Sequence, residues 1–144
     1  MTLRMDHVSI VVEDLDAAVA FFVELGMERE DQQAVGGDWV DRINGIEGIQ
    51  VDIVMVRTPD GHGKVELTTF HHPAATTTEP DAPPNTLGLR SLMFEVDDVD
   101  DTVARLRPHG GELVGTVEQY EDLYRLCYLR GPAGVIVALA ESLG

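Results

Sequence analysis

Residues 7–26 of this chain read HVSIVVEDLDAAVAFFVELG, and residues 91–110 read SLMFEVDDVDDTVARLRPHG. Laid over each other at an offset of 84, they share Val12/Val96, Asp14/Asp98, Asp16/Asp100, Val19/Val103, Ala20/Ala104 and Gly26/Gly110. Between the identities the apolar pattern holds, with Leu15 over Val99 and Phe22 over Leu106. The ends of the two halves also match at a slightly different offset. Pro59 and Gly61 fall on Pro132 and Gly134, and Val65-Glu66-Leu67 falls on Val137-Ala138-Leu139. Self-similarity on this scale means one supersecondary unit made twice, and it decides the architecture before any single element does.

Each copy reads outward from its first strand. Alternation over residues 7–12 puts His7, Ser9 and Val11 on one face and Val8, Ile10 and Val12 on the other. Asp14 predicts a helix start, because its carboxylate accepts from the free N–H groups of the first turn. Asp16 then sits where the helix dipole favours negative charge. Leu15, Ala18, Val19 and Phe22 recur at helical spacing, and Gly26 supplies the stop. The second copy has a strand over 91–96, Asp98 as cap, a Val99, Val103 and Leu106 stripe, and an end at Pro108, Gly110 and Gly111. Strand-like runs follow each helix: 39–43, 50–57 and 64–70 in the first half, then 112–116, 124–130 and 135–140 in the second. Turn residues separate them, notably Asn44-Gly45, Thr58-Pro59-Asp60-Gly61 and Gly131-Pro132-Ala133-Gly134.

The expected fold is therefore α+β, two tandem βαβββ modules. They occupy residues 1–70 and 89–144, joined by a linker over 71–88 that holds four of the seven prolines. A sheet with its helix on one face must cover the other or line a cavity with it, and two such sheets curve naturally into a common cup. The helix-facing positions are uniformly apolar. The cup-facing set mixes His7, Ser9, Lys64, Glu66, Thr68, Ser91 and Glu95 with Val11, Met93, Ile136 and Ala138, which is more chemistry than a structural face requires.

Charge narrows the partner. Ten Lys+Arg stand against 26 Asp+Glu, a formal net charge of −16. Phosphate backbones and anionic membranes need clustered cations, so nucleic acid and membrane surfaces are excluded as partners and a small molecule is favoured. The longest apolar run, 135–140, is far too short to span a bilayer. With no apolar signal core at residues 1–6 and a single cysteine, Cys127, the expected location is the cytoplasm.

The duplicated order, the Phe-Glu-Val-Asp-Asp-Val-Asp run at 94–100 and the Gly-Pro-Ala-Gly-Val-Ile-Val-Ala-Leu run at 131–139 resemble the vicinal-oxygen-chelate superfamily. That group includes glyoxalase I, methylmalonyl-CoA epimerase, extradiol dioxygenases, fosfomycin-resistance transferases and bleomycin-resistance proteins. The resemblance implies a homodimer and a metal held by one residue from the first and one from the last strand of each module. Carried over by position, these are His7, Glu66, Ser91 and Ala138. The first two keep family-type ligands, while a hydroxyl is a poor donor and alanine supplies none.

Two side chains are too few to hold Zn, Ni, Mn or Fe tightly, so the expectation is no cofactor, or at most a weakly held divalent metal. Glu95, His71 and His72 are the candidate third ligands. Without metal, His7 and Glu66 form a potential base and orienter, with Glu66 fixing the imidazole tautomer. Two functions follow. One is a small-molecule-binding protein of the bleomycin-resistance kind. The other is a lyase or isomerase acting on a small carbonyl or hydroxy acid through His7 and Glu66, favoured over an extradiol dioxygenase. Trp39, Asp52, Ser91, Met93, Glu95, Tyr124 and Tyr128 are the candidate ligand-binding residues in either case.

Overall fold

A computed structural model of the chain describes residues 2–77 and 79–144. The duplicated sequence becomes two five-stranded mixed sheets in two compact units that divide between residues 77 and 78. The first unit runs β1 (Val8–Val11), α1 (Leu15–Leu25), β2 (Glu28–Arg29), β3 (Gln33–Gly36), α2 (Asp38–Asn44), β4 (Gln50–Arg57) and β5 (Lys64–His72). Its strand order is β1-β5-β4-β2, with β1 parallel to β5 and β3 also paired to β4. Because β2 and β3 pair with opposite ends of β4, they act as two halves of one interrupted strand, and the βαβββ order is kept.

The second unit runs β6 (Ser91–Glu95), α3 (Val99–Leu106), a 3-10 turn (Arg107–His109), β7 (Glu112–Leu113), β8 (Glu118–Tyr120), β9 (Tyr124–Arg130) and β10 (Ile136–Ser142). The order β6-β10-β9-β7, with β8 also on β9, repeats that of the first unit.

The helices α1 and α3 start where the aspartates predict. Asp14 accepts from the Ala17 amide and Asp98 from the Asp101 amide, each at 3.0 Å. Such caps stabilise a helix by about 1 kcal/mol. On α1, Leu15, Ala18, Val19, Phe21, Phe22 and Leu25 are buried. Below them Val54, Val56 and Leu67 are fully enclosed, while Val99, Leu106, Leu129, Val137 and Leu139 are equally enclosed in the second unit. Burying each such side chain stabilises the fold by roughly 1.5–3 kcal/mol.

Residues 39–43, expected as a strand, form α2 instead. Gly37 (φ 115) precedes this helix, and Gly45 ends it in the left-handed conformation (φ 67). Asn44 donates its side-chain amide to the Val40 carbonyl at 2.9 Å. The Asp41 carboxylate then accepts from the Gly48 and Ile49 amides, both at 2.9 Å, and folds the following loop back. Those two bonds hold the Asp41 carboxyl below the usual carboxylate range. Val40 and Ile43 are three apart, a helical rather than a strand spacing, but a five-residue run is too short for period alone to settle it, and the flanking glycines decide it. The second unit carries only residues 121–123 at the place of α2.

The proline-rich segment is not free chain at either end. β5 continues to His72. Further on, Arg130 Nη2 donates to the Asp81 carbonyl at 3.2 Å. A Cβ at Gly134 (φ 75) would overlap the Pro80 carbonyl oxygen and stand 2.6 Å from its Cα. Among the described residues no helix is long and apolar enough to cross a membrane.

Candidate functional site

The parallel pairing of β1 with β5 sets Ser9 opposite Glu66 and Val11 opposite Thr68. Alternation then places all four side chains on the face away from α1. Ser9 Oγ donates to Glu66 Oε1 at 3.1 Å, and Thr68 Oγ1 donates to the same oxygen at 3.2 Å. Glu66 Oε2 is left facing His7 Nε2 at 3.5 Å. On the far side of the ring, His7 Nδ1 lies 2.8 Å from Asp6 Oδ2. A carboxylate can only accept, so Nδ1 carries the proton and donates. That bond, with Lys64 adding to it, holds the Asp6 carboxyl below its ordinary value. In the neutral ring Nε2 therefore turns a lone pair toward Glu66.

Glu66 forms the polar end of a pocket of about 290 Å³. Val51, Ile53 and Phe70 of β4 and β5 make its floor, Trp39, Val40 and Ile43 of α2 its wall, and Ser9, Glu66 and Thr68 the polar end. The wall is held by a small core in which Val40, Ile49 and Val51 pack with Val35, Ile53 and Phe70. Trp39 is 59% exposed, so an occupant of the pocket has an indole to cover. His7 is not among the lining residues and stands beside Glu66 at the edge.

Of the residues expected to bind ligand in the first half, Trp39 lines the pocket and Asp52 does not. On β4 the odd residues Val51 and Ile53 face the pocket, while Asp52 shares the other face with the enclosed Val54 and Val56. There Asp52 meets His71 Nε2 at 2.9 Å and accepts from Gln32 Nε2 at 3.2 Å. The apolar wall and floor are what the sequence reading missed. Taking 39–43 as a strand hid the wall, but the parity of β4 against Thr68 and Phe70 was available to find the floor.

In the second unit, Ser91, Met93 and Glu95 stand opposite Ile136, Ala138 and Ala140. Tyr128 is opposite Ala138 and Tyr124 opposite Ser142. The five residues Ser91, Met93, Glu95, Tyr124 and Tyr128 thus share one face of that sheet, where Tyr124 stacks on Tyr120 with ring centroids 5.7 Å apart. The registers also make the ligand positions equivalent. The β1 partner of Glu66 is Ser9, two residues past His7, and the β6 partner of Ala138 is Met93, two residues past Ser91.

Within the first unit the donors do not furnish a transition-metal shell, since His7 and Glu66 are only two side chains. At the equivalent strand positions of the second unit Ser91 has a neutral hydroxyl and the enclosed Ala138 no donor. His71 is taken by Asp52 on the opposite face, and His72 Nδ1 donates to the Gly48 carbonyl at 2.7 Å. Among the described residues no three of His, Cys, Asp and Glu are grouped so that they could hold a metal ion.

The sequence model of the Glyoxalase/Bleomycin resistance protein/Dioxygenase superfamily matches residues 4–139. Among curated proteins none matches the chain. A glyoxalase family protein from Bacillus cereus is 49% identical in sequence, with a TM-score of 0.95 over 100% of this chain and 97% of its own. A glyoxalase family protein from Enterococcus faecalis shares the fold at 19% identity and a TM-score of 0.65, covering 96% of this chain and 97% of its own. So does a fosfomycin resistance protein from Listeria monocytogenes, solved with Mn(II) and dihydroxypropylphosphonic acid. Its identity is 12% and its TM-score 0.62, over 99% of this chain and 92% of its own.

Proposed function

The chain belongs to the Glyoxalase/Bleomycin resistance protein/Dioxygenase superfamily, and from that premise we propose that it binds a small molecule without a metal. The observation that carries this is the half-furnished ligand set. His7 and Glu66 keep donor side chains, their register equivalents Ser91 and Ala138 do not, and Glu66 closes a pocket whose other walls are largely hydrocarbon. Concave, mostly apolar sites with a few converging polar groups are where ligands bind. A cytoplasmic homodimer belongs to the same proposal, supported by the lone cysteine and by sheet-edge strands that need cover.

The test is a thermal-shift screen of protein stripped with a chelator, with Trp39 emission as a second readout. A specific binder raises the melting temperature by mass action. Binders that act equally with and without chelator are the expected result. If every binder requires stoichiometric Zn, Ni, Mn or Fe, the proposal fails.

One arrangement supports a second reading, a lyase or isomerase acting on a carbonyl or hydroxy-acid substrate. Asp6 fixes the His7 tautomer through Nδ1, which leaves Nε2 as a base beside Glu66. Proton abstraction next to a carbonyl is the chemistry such a base performs. Solvent deuterium incorporation into small α-hydroxy carbonyl compounds, lost in His7→Ala, is the measurement that would favour it.

A further inference from the structure

We infer that the occupant of the first-unit pocket is a protonated amine carried on an apolar body, with its ammonium group between Glu66 Oε2 and His7 Nε2. This rests on the binding reading above and adds the class of ligand. Glu66 Oε1 is already engaged by two hydroxyls, from Ser9 and Thr68. Oε2 carries no such bond, and His7 Nε2 stands 3.5 Å from it. That oxygen is a charged acceptor without a hydroxyl donor, and an ammonium, with three donors and a positive charge, satisfies it together with Nε2 of the neutral ring. A carboxylate ligand would meet the like charge of Glu66 at that end.

The rest of the pocket agrees. No lysine or arginine lines it, and Val51, Ile53, Phe70, Val40 and Ile43 with the face of Trp39 offer hydrocarbon and an indole. At the packing density of a protein interior, about 290 Å³ takes roughly ten to twelve non-hydrogen atoms. The formal net charge of −16 draws cations toward the whole molecule.

Three compounds of that size and nearly one shape make the test: phenylbutylamine, phenylbutanol and phenylbutyrate. Each is titrated into the full chain with chelator present, and the emission of Trp39, the one tryptophan, reports occupancy. The amine should bind about tenfold or more tighter than the alcohol, as a charge-assisted hydrogen bond allows. Phenylbutyrate should give no saturable response. Glu66→Gln should bring the amine down to the level of the alcohol. Equal binding of amine and alcohol to the unaltered chain overturns the amine assignment while the binding reading stands. If none of the three moves Trp39 emission, the amine assignment is overturned too, and a screen that also finds no other binder sinks the binding reading with it. The ranking on the unaltered chain needs no variant to fold.

Discussion

Removing the Glu66 side chain should unsettle the sheet face in a way that its amide does not. In Glu66→Ala the hydroxyls of Ser9 and Thr68 lose the acceptor they share. Ser9 is exposed and turns to water at little cost. Thr68 is only 6% exposed, so its hydroxyl is stranded, and a buried unmet donor costs about 1–3 kcal/mol. Weaker strand packing by alanine adds a few tenths, for a total of about 2 kcal/mol. With an unfolding entropy of about 2.1 cal/mol/K per residue over 144 residues, the melting temperature falls by roughly 6–7 °C. Glu66→Gln keeps a carbonyl oxygen for both hydroxyls and should melt within about 2 °C of the parent. Thermal unfolding followed by circular dichroism measures both. Thr68→Val on the Glu66→Ala background should then cost almost nothing further, because both partners are gone. The reasoning is refuted if alanine and glutamine variants melt together, or if Thr68→Val is equally costly on both backgrounds.

Three more outcomes follow from other parts of the structure. The Asp41 carboxyl is held below its ordinary value chiefly by the Gly48 amide and then by that of Ile49. Its contribution is therefore complete above the ordinary aspartate range and is lost as pH falls through the folded value, below about 4. The Gly48 and Ile49 amides should lose hydrogen-exchange protection over that window, and Asp41→Asn should lose it at every pH. Gly134→Ala forces a left-handed alanine into the Pro80 backbone and should cost about 2–4 kcal/mol in urea titration. It should also open residues 79–90 to protease, and an unchanged midpoint with unchanged cleavage would contradict that packing. Burial raises the pKa of the Cys127 thiol, which is 2% exposed. A thiol reagent should leave the native chain unmodified at neutral pH and modify one equivalent once it is unfolded.

Periodicity and capping made much of the architecture legible. The strand faces, the aspartate caps and the apolar stripes of α1 and α3 are local signals repeated in both halves, and each one was readable within about a dozen residues. The same register logic equates His7 and Glu66 with Ser91 and Ala138, and so exposes the missing donors. Residues 39–43 were not legible, because five residues are too few for a period to declare itself, even with Val40 and Ile43 at helical spacing. Their helicity depends on Gly37, on Gly45 and on the reach of Asp41 to Gly48 and Ile49.

The chain's own order of residues thus determined the duplication, the strand faces and the placing of His7 and Glu66 in the first half against Ser91 and Ala138 in the second. Only the tertiary structure decided that α2 stands over the first sheet as a pocket wall, that Asp52 turns to the opposite face, and that Glu66 keeps one oxygen clear of the hydroxyls. Those are non-local facts, set by which strands pair and in what register, and a register shift of one residue would reverse every face.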